Sequence, residues 1–305
     1  MGSSQSCTCW DSCFRNTLFF TNKKMTKIRV GLVGYGHLGQ FLADKILNDS
    51  KTSARFEIAF VWNRTYDKML EDKTLKEEWL LKDLDNFAEK KPTLIVEVAH
   101  PNIIADYGVK FLNYCDLFVG SPTAFADEKV EKEMRQVALQ TANGCYIPSG
   151  ALWGANDIQK MGLLGTLEEL TITMKKHPAS MKLTSAEMQE TLKLSLNDSS
   201  KEYVVYEGPV RPLCPLAPNN VNTMAVASMA GENLGFDGVK ARLVADSRLE
   251  AHVIDIDVKG PGGFSVMTNR FNPAKAGAVT GNATYNSFLS SMLQTGGRGN
   301  GIHFC

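Results

Sequence analysis

Three absences narrow this 305-residue chain before any motif is read. Neither sign of charge is in excess, with Lys+Arg 33 against Asp+Glu 33. A balanced surface carries no broad basic field, which argues against nucleic acid or an anionic membrane as the main partner. Long hydrophobic runs are missing too. No apolar stretch approaches the roughly 18 residues that a bilayer span requires, so no transmembrane segment is expected. Paired CxxC units are absent among the 7 cysteines. No metal site is therefore expected, and free thiols at Cys115, Cys145, Cys214 and Cys305 suit a reducing, cytoplasmic setting. Internal repeats and low-complexity blocks are lacking as well.

What is present is an ordinary globular composition, 44% hydrophobic and 22% charged, on a chain long enough for two cores. Residues 1–24 read as a flexible polar tail without a signal core or an Arg-rich presequence. Within it Gly2 and Ser6 fit an N-myristoylation pattern, with Cys7 and Cys9 available for a second acyl chain. A chance match in a Ser/Cys-rich segment is the competing explanation.

From Met25 to Gly154, short continuous apolar runs alternate with helical patterns. The runs are "KIRVGLV" (27–33), "FEIAFVW" (56–62), "TLIVEVA" (93–99), "CDLFVGS" (115–121) and "CYIPSG" (145–150). Such strands belong to a parallel sheet covered on both faces. The charged stretch 72–90 reads as helix. Over 155–295 the strands instead alternate apolar with polar, as in "AHVIDIDVKG" (251–260) and "FSVMTNR" (264–270). That pattern predicts an open mixed sheet with one covered face, and the Ala-rich stretch 221–234 is the helix to cover it. A closing helix over 281–293 is free to pack back on the first domain, and 296–305 reads as a mobile tail. The fold class is thus α/β, a Rossmann dinucleotide-binding domain followed by a second α/β domain for substrate and dimerisation.

Gly34, Gly36 and Gly39 form G-x-G-x-x-G between the first strand and its helix, with Tyr35, His37 and Leu38 between them. The first glycine permits a tight turn, the second lets a pyrophosphate approach the backbone, and the third packs helix on strand. The helix N-terminus then offers free N–H groups to the phosphates. At the end of the second strand, where an acidic residue for the ribose is usual, the chain reads "WNRT" (62–65). Asn63 can bond a ribose hydroxyl and Arg64 can pair with a 2′-phosphate, so the cofactor is NAD or NADP. Ala99, His100 and Ser121 follow the ends of later strands, where open α/β sheets bind ligands.

"SPTAFAD" (121–127), "IPSGALWGANDI" (147–158), "VEVAHP" (96–101) and "APNNVN" (217–222) complete a pattern that resembles the L-aspartate dehydrogenase family, nearest its animal branch. The resemblance covers the chain from Met25 onward. It implies a homodimer that oxidises a small dicarboxylic amino acid, aspartate, to iminoaspartate and then oxaloacetate and ammonia. It also implies that Ala124 lines the nicotinamide ribose, that Asn220 and Asn222 reach the cofactor, and that Ser149 and Gly150 border the substrate.

The match departs at the catalytic histidine. Aligned without a gap, that position falls on Ile254, and His252 is the nearest histidine. A two-residue shift keeps the strand face, moving the side chain by about 6.5 Å. His252 is then the acid/base, expected to titrate near neutrality. A family lysine near Ala179 is also missing, and Lys175, Lys176 or His177 is left to meet a substrate carboxylate, with Lys176 the choice. A reductase of another imine or carbonyl and a non-catalytic NAD(P)-binding sensor stay open as alternatives.

Overall fold

The computed structural model describes residues 26–305 apart from 219 and 279–281. The tail 1–24, with its Gly2 acylation pattern, lies outside the described residues. Among them no helix is long and apolar enough to cross a membrane.

Seven strands form a parallel sheet: β1 (Ile28–Val33), β2 (Phe56–Trp62), β3 (Leu80–Leu81), β4 (Leu94–Glu97), β5 (Asp116–Val119), β6 (Gly144–Ile147) and β12 (Gly301–Phe304). Their order is β12-β6-β5-β4-β1-β2-β3, so the chain reverses direction between β1 and β4. β1 and β4 are almost wholly apolar and buried because helices cover both faces. The reversal opens a crevice at the strands' C-terminal ends, the usual ligand position of such sheets.

A second sheet has the order β11-β10-β7-β9-β8. It consists of β7 (Glu169–Lys176), β8 (Tyr203–Pro209), β9 (Lys240–Ala245), β10 (Ala251–Gly260) and β11 (Phe264–Pro273). β7 and β9 are parallel and the other pairs antiparallel, so the sheet is mixed as expected. The apolar face carries Leu170, Ile172, Met174, Ile254, Ile256 and Val258. The helix Asn222–Ala230 packs on β7 and also on the turn Pro122–Ala126 of the first half. Contact on both sides explains why Thr223 through Ala230 are all buried, and why the segment is small and apolar rather than amphipathic.

Two local expectations are overturned. Residues 301–304 are not tail: Gly301–Phe304 pairs in parallel with Gly144–Ile147 as the sheet's edge strand. The helix Asn282–Met292 brings the chain back by burying Phe288 and Met292 against the first domain. Glycines at 296, 297, 299 and 301 all take positive φ and turn it into the strand. Nor is 72–90 one helix. Leu80 and Leu81 join β2 as a short edge strand, and Asp83 caps a separate 3-10 turn, Leu84–Lys90.

Candidate active site

The glycine turn leads β1 into the helix His37–Asn48. Gly34 has φ +110°, and a Cβ there would stand 2.8 Å from the Ala99 amide nitrogen, so β4 and its loop require glycine. Gly36 is different: its φ is −79°, and a Cβ would meet nothing within 4 Å. It caps the helix without a side-chain bond, and no acid stands in the first turn. Amides of the first helical turn therefore face open space at Gly36, an arrangement that suits an anion. A Cβ on Gly39 would run into the Gly34 carbonyl, which fixes helix against turn.

Two residues assigned to the cofactor do structural work. The Tyr35 side chain is buried, and its hydroxyl donates to Asp72 at 2.7 Å, because an aromatic ring in this position completes the core under the turn. Asn63 accepts from the Tyr35 amide at 3.1 Å and donates to the Thr65 carbonyl at 3.0 Å, holding the turn to the end of β2. These bonds take one of the two lone pairs of its carbonyl and one of its two N–H donors, which leaves one of each for a ribose hydroxyl. Leu38 packs on the same core, whereas His37 and Arg64 are exposed.

Ala99 and His100 are exposed on the loop after β4, and His100 Nδ1 accepts from the Asn102 amide at 3.2 Å as a helix cap. His100, Thr123 and Ala124 line one side groove rather than the central cavity. Ser121 is buried, with its hydroxyl and amide both donating to Glu97. Sequence reasoning missed Glu97, though a charged residue ending an apolar strand was the available signal. Burial raises its carboxyl to about 7, against four hydrogen bonds that favour the ionised form.

The central cavity, of about 90 Å³, lies where the two sheets meet. That is room for about three waters. Gly120, Ser149, Gly150, Lys176, Asn222 and His252 are among its walls. Ser149 is fixed by its amide donating to the Cys305 carbonyl at 2.6 Å, so the C-terminal strand helps to set this turn. Gly150 has φ +60°. Asn222 Oδ1 is buried without a partner among the described residues, an acceptor left open at the cavity for an incoming amide or amine. Asn220 is not open in this way. Its side chain accepts from the Lys182 amide at 2.8 Å and donates to the Ser180 carbonyl at 3.1 Å, bracing the loop beneath.

His252 shares the buried face of Ile254, Ile256 and Val258 on β10. The antiparallel register pairs Val253 with Lys175 and Ile254 with Met174, which continues to set Lys176 opposite His252. Lys176 is buried, within 3.5 Å of the Asn220 carbonyl, and burial alone lowers its ammonium to about 8. The neutral-range titration expected of His252 is not found. Burial first, and the Lys176 charge second, push the imidazole down to about 4, against a bond to Ala278 that raises it. His252 Nε2 lies 2.9 Å from the Ala278 carbonyl. A carbonyl only accepts, so this nitrogen carries the proton and Nδ1 keeps the lone pair. Lys175 pairs with Glu202 and His177 Nδ1 accepts from the Ala179 amide, which leaves Lys176 alone of the three at the cavity.

Arg270 on β11 was also missed. Its Nη1 donates to the Gly150 carbonyl at 2.8 Å, and Ser287 Oγ donates to the same oxygen at 3.1 Å. Alternation along "TNRFN" (268–272) marked Thr268, Arg270 and Asn272 as one face. No group of three or more metal-binding side chains occurs among the described residues. Cys115, Cys145, Cys214 and Cys305 are free and buried, and burial pushes each thiol up to about 12.

Comparison with known proteins agrees with this architecture. Residues 34–148 match the family model "Homoserine dehydrogenase, NAD binding domain", and 157–291 match "Aspartate dehydrogenase, C-terminal". An aspartate dehydrogenase domain-containing protein of Danio rerio is 47% identical, over 91% of this chain and 98% of its own. An L-aspartate dehydrogenase of Methanococcus maripaludis is 30% identical, over 81% of this chain and 89% of its own. The crystal structure of an aspartate dehydrogenase from Thermotoga maritima superposes with a TM-score of 0.64 at 20% identity, over 88% of this chain and 98% of that one.

Proposed function

The chain belongs to the aspartate dehydrogenase family, and on that premise we propose that it deaminates L-aspartate oxidatively with NAD(P)+. The products are iminoaspartate, then oxaloacetate and ammonia, and the reaction runs in reverse as reductive amination. One observation carries this reading: a buried lysine and a buried histidine face each other in a small cavity bordered by Gly150 and Asn222.

The residues present fit a dinucleotide. Gly36 leaves the space a phosphate needs, and the unpartnered Asn222 Oδ1 suits a carboxamide N–H. When bound, the nicotinamide supplies the acceptor for the hydride leaving the substrate Cα. Lys176, charged below about 8, holds a substrate carboxylate. Neutral His252 takes a proton at Nδ1 from the substrate ammonium and releases it to solvent; it then takes one from the water that adds to the imine carbon and returns it to the departing amine. A sensor with an apolar relic site is disfavoured by this polar lining, and a reductase of bulky sugar-like carbonyls by the cavity's size.

We further propose a cytoplasmic homodimer. Exposed Met267 and Phe271 on the edge strand β11 offer an apolar surface for a second copy, and the described thiols are all free. Light scattering on the purified protein tests the dimer. For the activity, the protein is assayed with L-aspartate and each cofactor, following reduced nicotinamide. Turnover is expected. A protein that binds the cofactor yet oxidises no dicarboxylic amino acid overturns the reading.

A further inference from the structure

Arg270 is a half-buried cation with no acid to neutralise it among the described residues. Other partly buried arginines are matched to acids, as Arg211 is to Asp237 and Arg135 to Glu131. Arg270 forms no ion pair among the described residues, and burial without a neighbouring acid lowers its guanidinium below the usual range. Its bond to the Gly150 carbonyl uses one of five N–H donors. Holding an uncompensated charge partly out of water is costly, and a carboxylate held bidentately is the group that best offsets it.

Its place in the sheet points the same way. Arg270 pairs with Ile254, and Asn272 with His252, so Arg270 lies on the His252 face one side-chain repeat along. Lys176 lies on the far side of His252, on β7. Strand spacing and rise put the Lys176 and Arg270 Cα atoms roughly 12 Å apart. Arg270 itself lines an open groove that adjoins the cavity of Lys176 and His252, and Ser149 and Gly150 belong to the walls of both.

We propose that Arg270 binds the second carboxylate of the substrate and so restricts the site to dicarboxylic amino acids. Lys176 holds one carboxylate and Arg270 the other, with the reacting carbon presented to His252. This assignment rests on the reading of the site as an aspartate dehydrogenase.

The test uses succinate, a dicarboxylate that cannot react, titrated calorimetrically into the NADH-loaded protein. Arg270→Gln is expected to weaken succinate by about 10–100-fold, the worth of a charged hydrogen bond, while Arg270→Lys retains part of the affinity. In aspartate kinetics Arg270→Gln should raise KM by a similar factor with kcat changed far less. NADH affinity should stay within twofold of wild type. Unchanged succinate affinity in Arg270→Gln overturns the proposal, as does a wild-type protein that binds no dicarboxylate. A fall in kcat together with weakened NADH also overturns it, because that is the mark of a residue that only positions Gly150. Arg270-dependent succinate binding in a protein that never oxidises aspartate supports the carboxylate site and defeats the aspartate reading alone.

Discussion

Glu97 accepts hydrogen bonds from both the amide and the hydroxyl of Ser121, at 3.0 and 2.9 Å, in a fully buried position. The same carboxylate accepts from the amides of Ala99 at 2.7 Å and His100 at 2.9 Å. One side chain therefore ties the loop after β4 to the loop after β5, and both loops border the crevice proposed for the cofactor. All four partners are donors. Glu97→Gln keeps the shape but turns one oxygen into an NH2 that opposes the Ser121 amide. A donor–donor clash of this kind costs about 1–3 kcal/mol, and it falls on the loop rather than on the core. NADH affinity is expected to drop roughly tenfold with the circular dichroism spectrum unchanged; a fluorescence titration with wild-type affinity would remove Glu97 from this role.

The open space at Gly36 makes a cleaner test of the phosphate site. Its φ of −79° suits any residue and no atom stands near the Cβ position, so Gly36→Val should fold normally. The branched side chain then occupies the volume in front of the helix N-terminus, and the charged hydrogen bonds made there are lost. Binding of NADH and NADPH should each weaken by at least about tenfold, measured by calorimetry. Retained affinity in the folded variant would mean that the dinucleotide lies elsewhere.

Arg64 is exposed at the end of β2 and makes no ion pair among the described residues, so its loss should not disturb the fold. A guanidinium paired with a 2′-phosphate contributes about 1.5–3 kcal/mol. Arg64→Ala should weaken NADPH about tenfold or more and leave NADH nearly untouched. Equal losses for the two cofactors would show that Arg64 does not read the phosphate.

Periodicity made most of the fold legible. β2 runs from Phe56 to Trp62 as its continuous apolar run requires, and β10 from Ala251 to Gly260 as the alternation of its side chains requires. Gly34, Gly36 and Gly39 could be understood in sequence because each answers a local backbone demand. Side-chain partners could not be. Asn63 and Asn220 are amides of the right type in the right loops, yet each also braces its loop through Tyr35 and Thr65 or Lys182 and Ser180, and only coordinates reveal that. The strand Gly301–Phe304 was hidden for a similar reason, since its glycines resemble a linker until β6 supplies the pairing partner. Arg270 was hidden because its significance is a missing partner, and no single sequence displays what a residue lacks.

Lys176 and His252 set the final prediction, which concerns pH. The two groups face each other, and each titrates away from its usual range, His252 at about 4 and Lys176 at about 8. Catalysis needs the imidazole neutral and the ammonium charged. The value of kcat/KM for aspartate should therefore fall on the acid side through about 4, as His252 gains a proton. It should fall on the alkaline side through about 8, as Lys176 loses one. His252→Ala should lower kcat by about 10²–10⁴-fold while leaving NADH affinity intact, since the imidazole serves the substrate. Lys176→Met should raise KM and abolish the alkaline limb. It should also move the acid limb upward, because the Lys176 charge is one of the two causes that depress His252, burial being the larger. The pH profiles of the three proteins, taken with saturating cofactor, decide the matter. An acid limb that stays in place when Lys176 is replaced would mean that the two side chains do not sense each other, and the paired acid/base and carboxylate roles would fall together.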